Sequence, residues 1–218
     1  MYPVETMPIE QPDRPYPASL TIDYPEQSNR LTVLLRLFTA IPVLILWVML
    51  FGGSGGADSG DGGNVVFVGA GLVIFPTLLM ILFRKKYPRW WFDWNLNLVK
   101  FSVRVFAYLL LLRDEYPSTD EEQAVHLDIV YPNVATNLQR GMPLIKWLLA
   151  LPHIVVLVFL WVAAIFATVV AWFAIVFSGS YPRGLFDFVV GVMRWELRVA
   201  AYAILLTTDR YPPFSLSE

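Results

Sequence analysis

The chain contains no cysteine, which excludes disulfides, thiolate metal centres and cysteine nucleophiles. Two histidines among 218 residues make a poor ligand set, so no metal and no cofactor is expected. Lys, Arg, Asp and Glu together supply 16% of the residues, against about 25% in soluble domains. No nucleophile elbow, phosphate loop, haem motif or zinc motif occurs. The serines Ser54, Ser59, Ser178 and Ser180 stand in glycine-rich turns without a histidine near in sequence. The first 17 residues lack a basic stretch followed by an apolar one, so no signal peptide is expected. The net charge of −2 decides nothing, because charge acts locally in a membrane protein. No nucleic-acid partner is expected.

What the chain has is apolar length. Hydrophobic residues make up 56% and aromatics 15%. Residues 31–51 and 65–83 each approach the ~20 apolar residues that cross a bilayer core. A third run, 143–177, is interrupted only by Lys146, Pro152 and His153. As one helix it would be about 52 Å long, too much for one crossing at ordinary tilt. A kink at Pro152 is therefore expected, with 138–150 at the interface; a tight turn near 160–163 has no glycine or proline to make it.

The pattern is doubled. "LTIDYP" at 20–25 recurs as "LDIVYP" at 127–132, and "FTAIP" at 38–42 as "LLALP" at 148–152. "YPRWWFDW" at 87–94 meets "YPRGLFDF" at 181–188. "VKFSVRVFAYLLLLRDEYP" at 99–117 meets "VMRWELRVAAYAILLTTDRYPPF" at 192–214. Proline disfavours helix in the residue before it, so the Tyr-Pro pairs punctuate elements. The expected division is a proline-rich tail (1–17), a first membrane unit (18–117), an acidic linker (118–123), a second unit (124–214) and a short tail (215–218). The fold class expected is all-α integral membrane. Each unit carries transmembrane helices, an amphipathic striped helix and a short cytoplasmic extended segment. The two extended segments can pair as a ribbon, but only if helices or a partner support it, since an isolated ribbon is marginal in water.

YPRGLFDF, RWELRVAAYAILLTTDRYPPFSL and the upstream LPH resemble a group of bacterial integral-membrane proteins classified only as a domain of unknown function. The resemblance spans nearly everything after residue 18. The first copy departs from it at Trp90-Trp91, at Lys100 in place of arginine, and in its glycine loop. It implies a fold and a bacterial inner membrane, but no activity, cofactor or catalytic residue.

Arg84, Lys85, Lys86 and Arg89 cluster after the second apolar run, whereas the loop 52–64 holds Asp58 and Asp61 without lysine or arginine. The positive-inside rule puts the cluster and the N-terminus in the cytoplasm and the loop outside. The loop lacks the alternating ligands and closing glutamate of a calcium site.

The candidate site is a polar stripe. Asp93, Asn97, Lys100, Arg104 and Tyr108 fall on one helical face, as do Asp187, Gly191, Arg194, Arg198 and Tyr202. Trp90, Trp91 and Arg183 stand at the helix starts. Cations at the bilayer centre cost roughly 2.5–3.5 kcal/mol on insertion scales, so the striped helices are expected at the interface. "LLLL" at 109–112 and "AILL" at 203–206 argue for deeper placement. Three readings stand: arginines snorkelling to phosphates, Asp93–Arg198 or Asp187–Arg104 pairs joining the stripes, or stripes lining a path. Arg36 is expected to snorkel, His153 to sit at a kink, and His126 with Asp128 to lie on a solvated strand face. The leading function is a non-enzymatic accessory or scaffold subunit holding anionic lipid headgroups, a protein partner or a second copy. The alternative is a small transporter, channel or lipid-translocating protein.

Overall fold

The computed structural model describes residues 16–51, 74–119, 121–134, 138–139 and 141–217. The loop 52–64 and residues 1–15 lie outside them, and with them the readings of an external loop and a proline-rich tail. The described chain is mostly helical. In order it forms β1 (Ala18–Ile22), α1 (Arg30–Phe51), α2 (Ile74–Arg84), α3 (Arg89–Leu109), β2 (Val125–Ile129), α4 (Met142–Ser178) and α5 (Arg183–Ala203).

β1 and β2 pair antiparallel, Leu20 opposite Leu127 and Thr21 opposite His126. Both strands alternate buried and exposed residues, as a half-covered ribbon must. Ala18, Leu20 and Ile22 join Val125, Leu127 and Ile129 in the core; Ser19, Thr21, His126 and Asp128 face out. The connections cross: β1 packs on α5, and β2 packs on α3. The helices supply the support a lone hairpin lacks.

α3 and α5 start directly after Pro88 and Pro182, whose extended ψ of 136° and 124° leads the chain into the first turn. Each ends on a leucine in the left-handed region, Leu111 (φ 64°) and Leu206 (φ 56°). The following N–H groups return to helix carbonyls: Leu112 to Ala107 at 2.9 Å, Thr207 to Ala201 at 3.0 Å. Glycine would relax a backbone cost of about 1–2 kcal/mol. Leu111 and Leu206 are 4% and 0% exposed, and burying a leucine gives back about 1.5–3 kcal/mol. The core contact therefore decides the residue.

α4 is the one helix, among the described residues, that by itself is long and apolar enough to cross a membrane. Only 22% of its most apolar stretch is buried, so it is not covered like the central helix of a soluble domain. It runs unbroken through Pro152 from residue 142 to 178. No break sets 142–150 apart from the rest of the helix, which packs along α5 and is held at both ends. Lys146 ties the first turns to residues 208–209, and the Gly179 carbonyl accepts from the Ser28 N–H at 2.9 Å. α1 passes the same test only if its arms Arg30–Arg36 and Phe38–Leu50, bent by 52°, count as one span.

Candidate functional site

Arg36 does not snorkel. It is 3% exposed, points inward from α1 and forms an ion pair with Asp114. Its guanidinium donates to the carbonyls of Tyr108 at 2.8 Å and Arg113 at 3.1 Å and lies 4.4 Å from the Tyr108 ring centre. The other Asp114 oxygen accepts the Asn29 N–H at 2.8 Å, just before α1. The carboxylate thus satisfies an open donor at the positive end of the helix.

The same arrangement surrounds α4. Lys146, fully buried, donates to the Thr208 carbonyl at 2.7 Å and pairs with Asp209 at 2.7 Å. Its ammonium stands 5.1 Å from the Tyr202 ring centre, and Asp209 accepts the Gln139 N–H at 2.7 Å. Both cations stand six residues before a proline, and both aspartates open an Asp-x-Tyr-Pro segment. That spacing was the signal through which sequence reasoning could have found them. It was hidden because each pair spans more than 60 residues.

The striped residues divide between inside and outside. Tyr108 and Tyr202 are buried beneath the two cations. Arg198, 2% exposed, donates to the carbonyls of Ser215 at 2.9 Å and Ser217 at 2.7 Å. Arg194 reaches the carbonyls of Leu20 at 3.0 Å and Leu216 at 3.2 Å. Arg104 takes the Ser118 carbonyl at 2.7 Å. The expected Asp93–Arg198 and Asp187–Arg104 pairs do not form, because main-chain oxygens hold the arginines while Asp93 and Asp187 stay exposed. Lys100 is half-buried beside the ribbon, lining a polar pocket with Arg104, Ser19, Thr21, Glu122 and Asp128.

The helix starts face two ways. Trp90 is exposed; Trp91 donates its indole N–H to Thr77 Oγ1 at 2.8 Å and stacks on Trp94 at 5.1 Å. Arg183 lies 4.7 Å from the Tyr24 ring and Arg89 5.0 Å from the Tyr131 ring. Tyr24 donates to the Tyr181 carbonyl, and Tyr131 to the Tyr87 carbonyl. Each Tyr-Pro after a strand is therefore locked onto the Tyr-Pro-Arg before a helix in the other half of the chain. His153 follows Pro152 within the unbroken α4. It is fully buried, accepts the Trp195 indole N–H at 3.0 Å and stacks on Phe214 at 3.9 Å. His126 is on an exposed strand face as expected, 3.3 Å from Asp23. No group of three metal-ligating side chains occurs among the described residues.

Between α3 and α5 lies an apolar cleft of about 240 Å³ with three polar members, Asn95, Ser102 and Glu196. Glu196 is exposed on α5 and lines this cleft. Its apolar surroundings push its carboxyl up to about 7, against the opposing pull of Trp161.

Residues 142–215 match a family described as a domain of unknown function, DUF4389. The DUF4389 stretch holds α4, α5, the Lys146–Asp209 pair, the His153 cluster and Ser215, one of the two residues whose carbonyls hold Arg198. Neither a curated protein nor a solved structure matches the chain.

Proposed function

We propose that the protein is a non-enzymatic, multi-pass subunit of the cytoplasmic membrane, built from two related units, that holds anionic lipid or a partner complex at the membrane surface. α1 and α4 sit in the bilayer, α3 and α5 lie at its cytoplasmic interface, and the ribbon covers them from the cytoplasm. The observation carrying this reading is a run of exposed apolar and cationic side chains from the end of α2 into the start of α3. Phe83, Trp90 and Trp94 are 73%, 69% and 47% exposed, beside exposed Arg84, Lys86 and Arg89. Indole rings settle at the headgroup level, and Trp and Arg are the types enriched in protein interfaces.

The test is a triple variant, Arg84→Glu, Lys86→Glu and Trp90→Ser, none of them buried. It should insert normally yet lose co-purifying anionic lipid and cross-linked protein. A variant that inserts and keeps every contact would sink the reading. Arg104 and Arg198 are unsuitable for this test, since both hold backbone.

The second reading is transport between the two units, favoured by Asn95, Ser102 and Glu196 facing one cleft. Its otherwise apolar walls weigh against a hydrated ion and towards a lipid. Single cysteines, Ser118→Cys and Ser59→Cys, separate the readings by labelling with an impermeant thiol reagent in intact cells. Labelling of Ser59→Cys alone supports surface-lying striped helices; labelling of both means that α3 crosses, and transport leads.

A further inference from the structure

The end of the chain fills on α4 and α5 a place that stays open on α1 and α3. Phe214 packs on His153 and meets Trp195 edge-on at 5.5 Å. The carbonyls of Ser215, Leu216 and Ser217 then occupy Arg198 and Arg194. An aromatic ring thus fills an apolar recess, and main-chain oxygens fill the cationic pocket beside it.

In the matching sequence positions, Val43 stands for His153, Phe101 for Trp195, Lys100 for Arg194, Arg104 for Arg198 and Thr119 for Phe214. With no aromatic ring to fill it, a groove of about 590 Å³ remains, walled by Val43, Leu46, Met49, Leu50 and Phe101. It ends at Tyr116–Thr119 and Glu121. The next residues, Glu122 and Gln123, line the polar pocket of about 310 Å³ that holds Lys100 and Arg104. The Arg104 Nε is buried and has no hydrogen-bond partner among the described residues.

We propose that these two pockets, neighbours along the chain at Glu121 and Glu122 and linked by the Arg104–Ser118 hydrogen bond, together bind one glycerophospholipid, with an acyl chain along α1 and the phosphodiester held by Lys100 and Arg104. The assignment rests on the membrane placement proposed above. The tail in the second half presents the same chemistry in sequence, an apolar group followed by oxygen acceptors. Glu122 and Asp128 in the polar pocket oppose a second negative charge and suit a headgroup whose phosphodiester is followed by an ammonium. A peptide lying as the tail does is disfavoured. Gly191 lets Leu216 so close that a Cβ there would stand 3.0 Å from the Leu216 Cβ and 3.1 Å from its carbonyl oxygen, and the matching position is Asn97.

The experiment is titration of the detergent-purified full chain with dioctanoyl phosphatidylethanolamine, read by native mass spectrometry. A saturable single-lipid adduct is expected. Lys100→Glu should weaken it at least about tenfold, as loss of a charge-assisted contact does. Leu46→Trp, at a position 55% exposed, should weaken it by filling the groove. Lys100→Gln provides the milder variant should reversal disturb folding. Equal binding of free phosphoethanolamine would reassign the pocket to a soluble phosphoester. Equal binding of dioctanoyl phosphatidylglycerol would overturn the ammonium. Displacement of the lipid by a Pro-Pro-Phe-Ser-Leu-Ser-Glu peptide would assign a peptide site. An adduct indifferent to both variants, or none, would overturn the proposal. If that occurs while the exposed run around Trp90 still retains anionic lipid, the proposed function stands and only this site falls.

Discussion

Lys146, fully buried near the start of α4, is paired at 2.7 Å with Asp209, which lies beyond the end of α5. Asp209 also accepts the Gln139 N–H ahead of α4, so one carboxylate fixes both the cation and the helix entrance. Removing one member leaves a buried charge unpaired, at a cost of about 3–5 kcal/mol. Lys146→Met and Asp209→Asn should each lower the thermal midpoint strongly in detergent. The double variant Lys146→Met with Asp209→Asn should lose less than the two single losses summed. Additive losses in that cycle would show that the pair is not coupled.

Gly191 is required by its neighbour. A Cβ would stand 3.0 Å from the Leu216 Cβ and 3.1 Å from its carbonyl oxygen, so in Gly191→Ala the tail must give way slightly and should loosen from Arg194 and Arg198 at about 1–3 kcal/mol of overpacking. The expected signature is faster proteolysis after Tyr211, with α5 intact. Unchanged cleavage would mean that the tail adjusts without leaving.

Tyr24 and Tyr131 each donate one hydrogen bond across the two halves. Tyr24→Phe and Tyr131→Phe should each cost about 1 kcal/mol, in similar amounts, as read by chemical unfolding. Their effects should add within a few tenths of a kcal/mol if the two contacts are independent. An effect at one position and none at the other would break the equivalence.

Glu196 should make stability fall as pH rises. Its carboxyl stands at about 7 in the fold against an ordinary 4.5, so between those values the folded chain holds a proton that the unfolded chain releases. The linkage slope is therefore negative across that window, and above pH 7 the penalty is complete. Glu196→Gln should raise the thermal midpoint at pH 8 and leave it nearly unchanged at pH 4.5. An equal effect at both values would assign the change to packing.

Glu115 gives the opposite sign. Burial alone would raise it, but the Arg113 side chain and the Ala124 N–H hold it below the usual carboxylate range. Its contribution is present at neutral pH and fades as the carboxylate protonates under acid. Glu115→Gln should therefore destabilise modestly at pH 7 and little at pH 3, followed by thermal unfolding. A loss that persists at pH 3 would point to the hydrogen bonds rather than the charge.

The sequence by itself determined the elements whose causes are local. The Tyr-Pro pairs ended and began segments because proline restricts its neighbour. Alternation in "ASLTI" and "VHLDI" made two half-buried strands. Apolar length made α4, and the four-three-four spacing put Lys100 and Arg104 on one face. Only the tertiary structure decided which polar groups meet. Arg36 and Asp114 lie 78 residues apart, and no local pattern distinguishes a snorkelling arginine from a paired one. Arg198 turned inward because the tail offered it carbonyl oxygens, and Arg104 took the Ser118 carbonyl while Asp93 and Asp187 stayed outside. The pairing of polar groups follows from which backbone atoms lose water when the halves close, and that is fixed by the packing of distant segments.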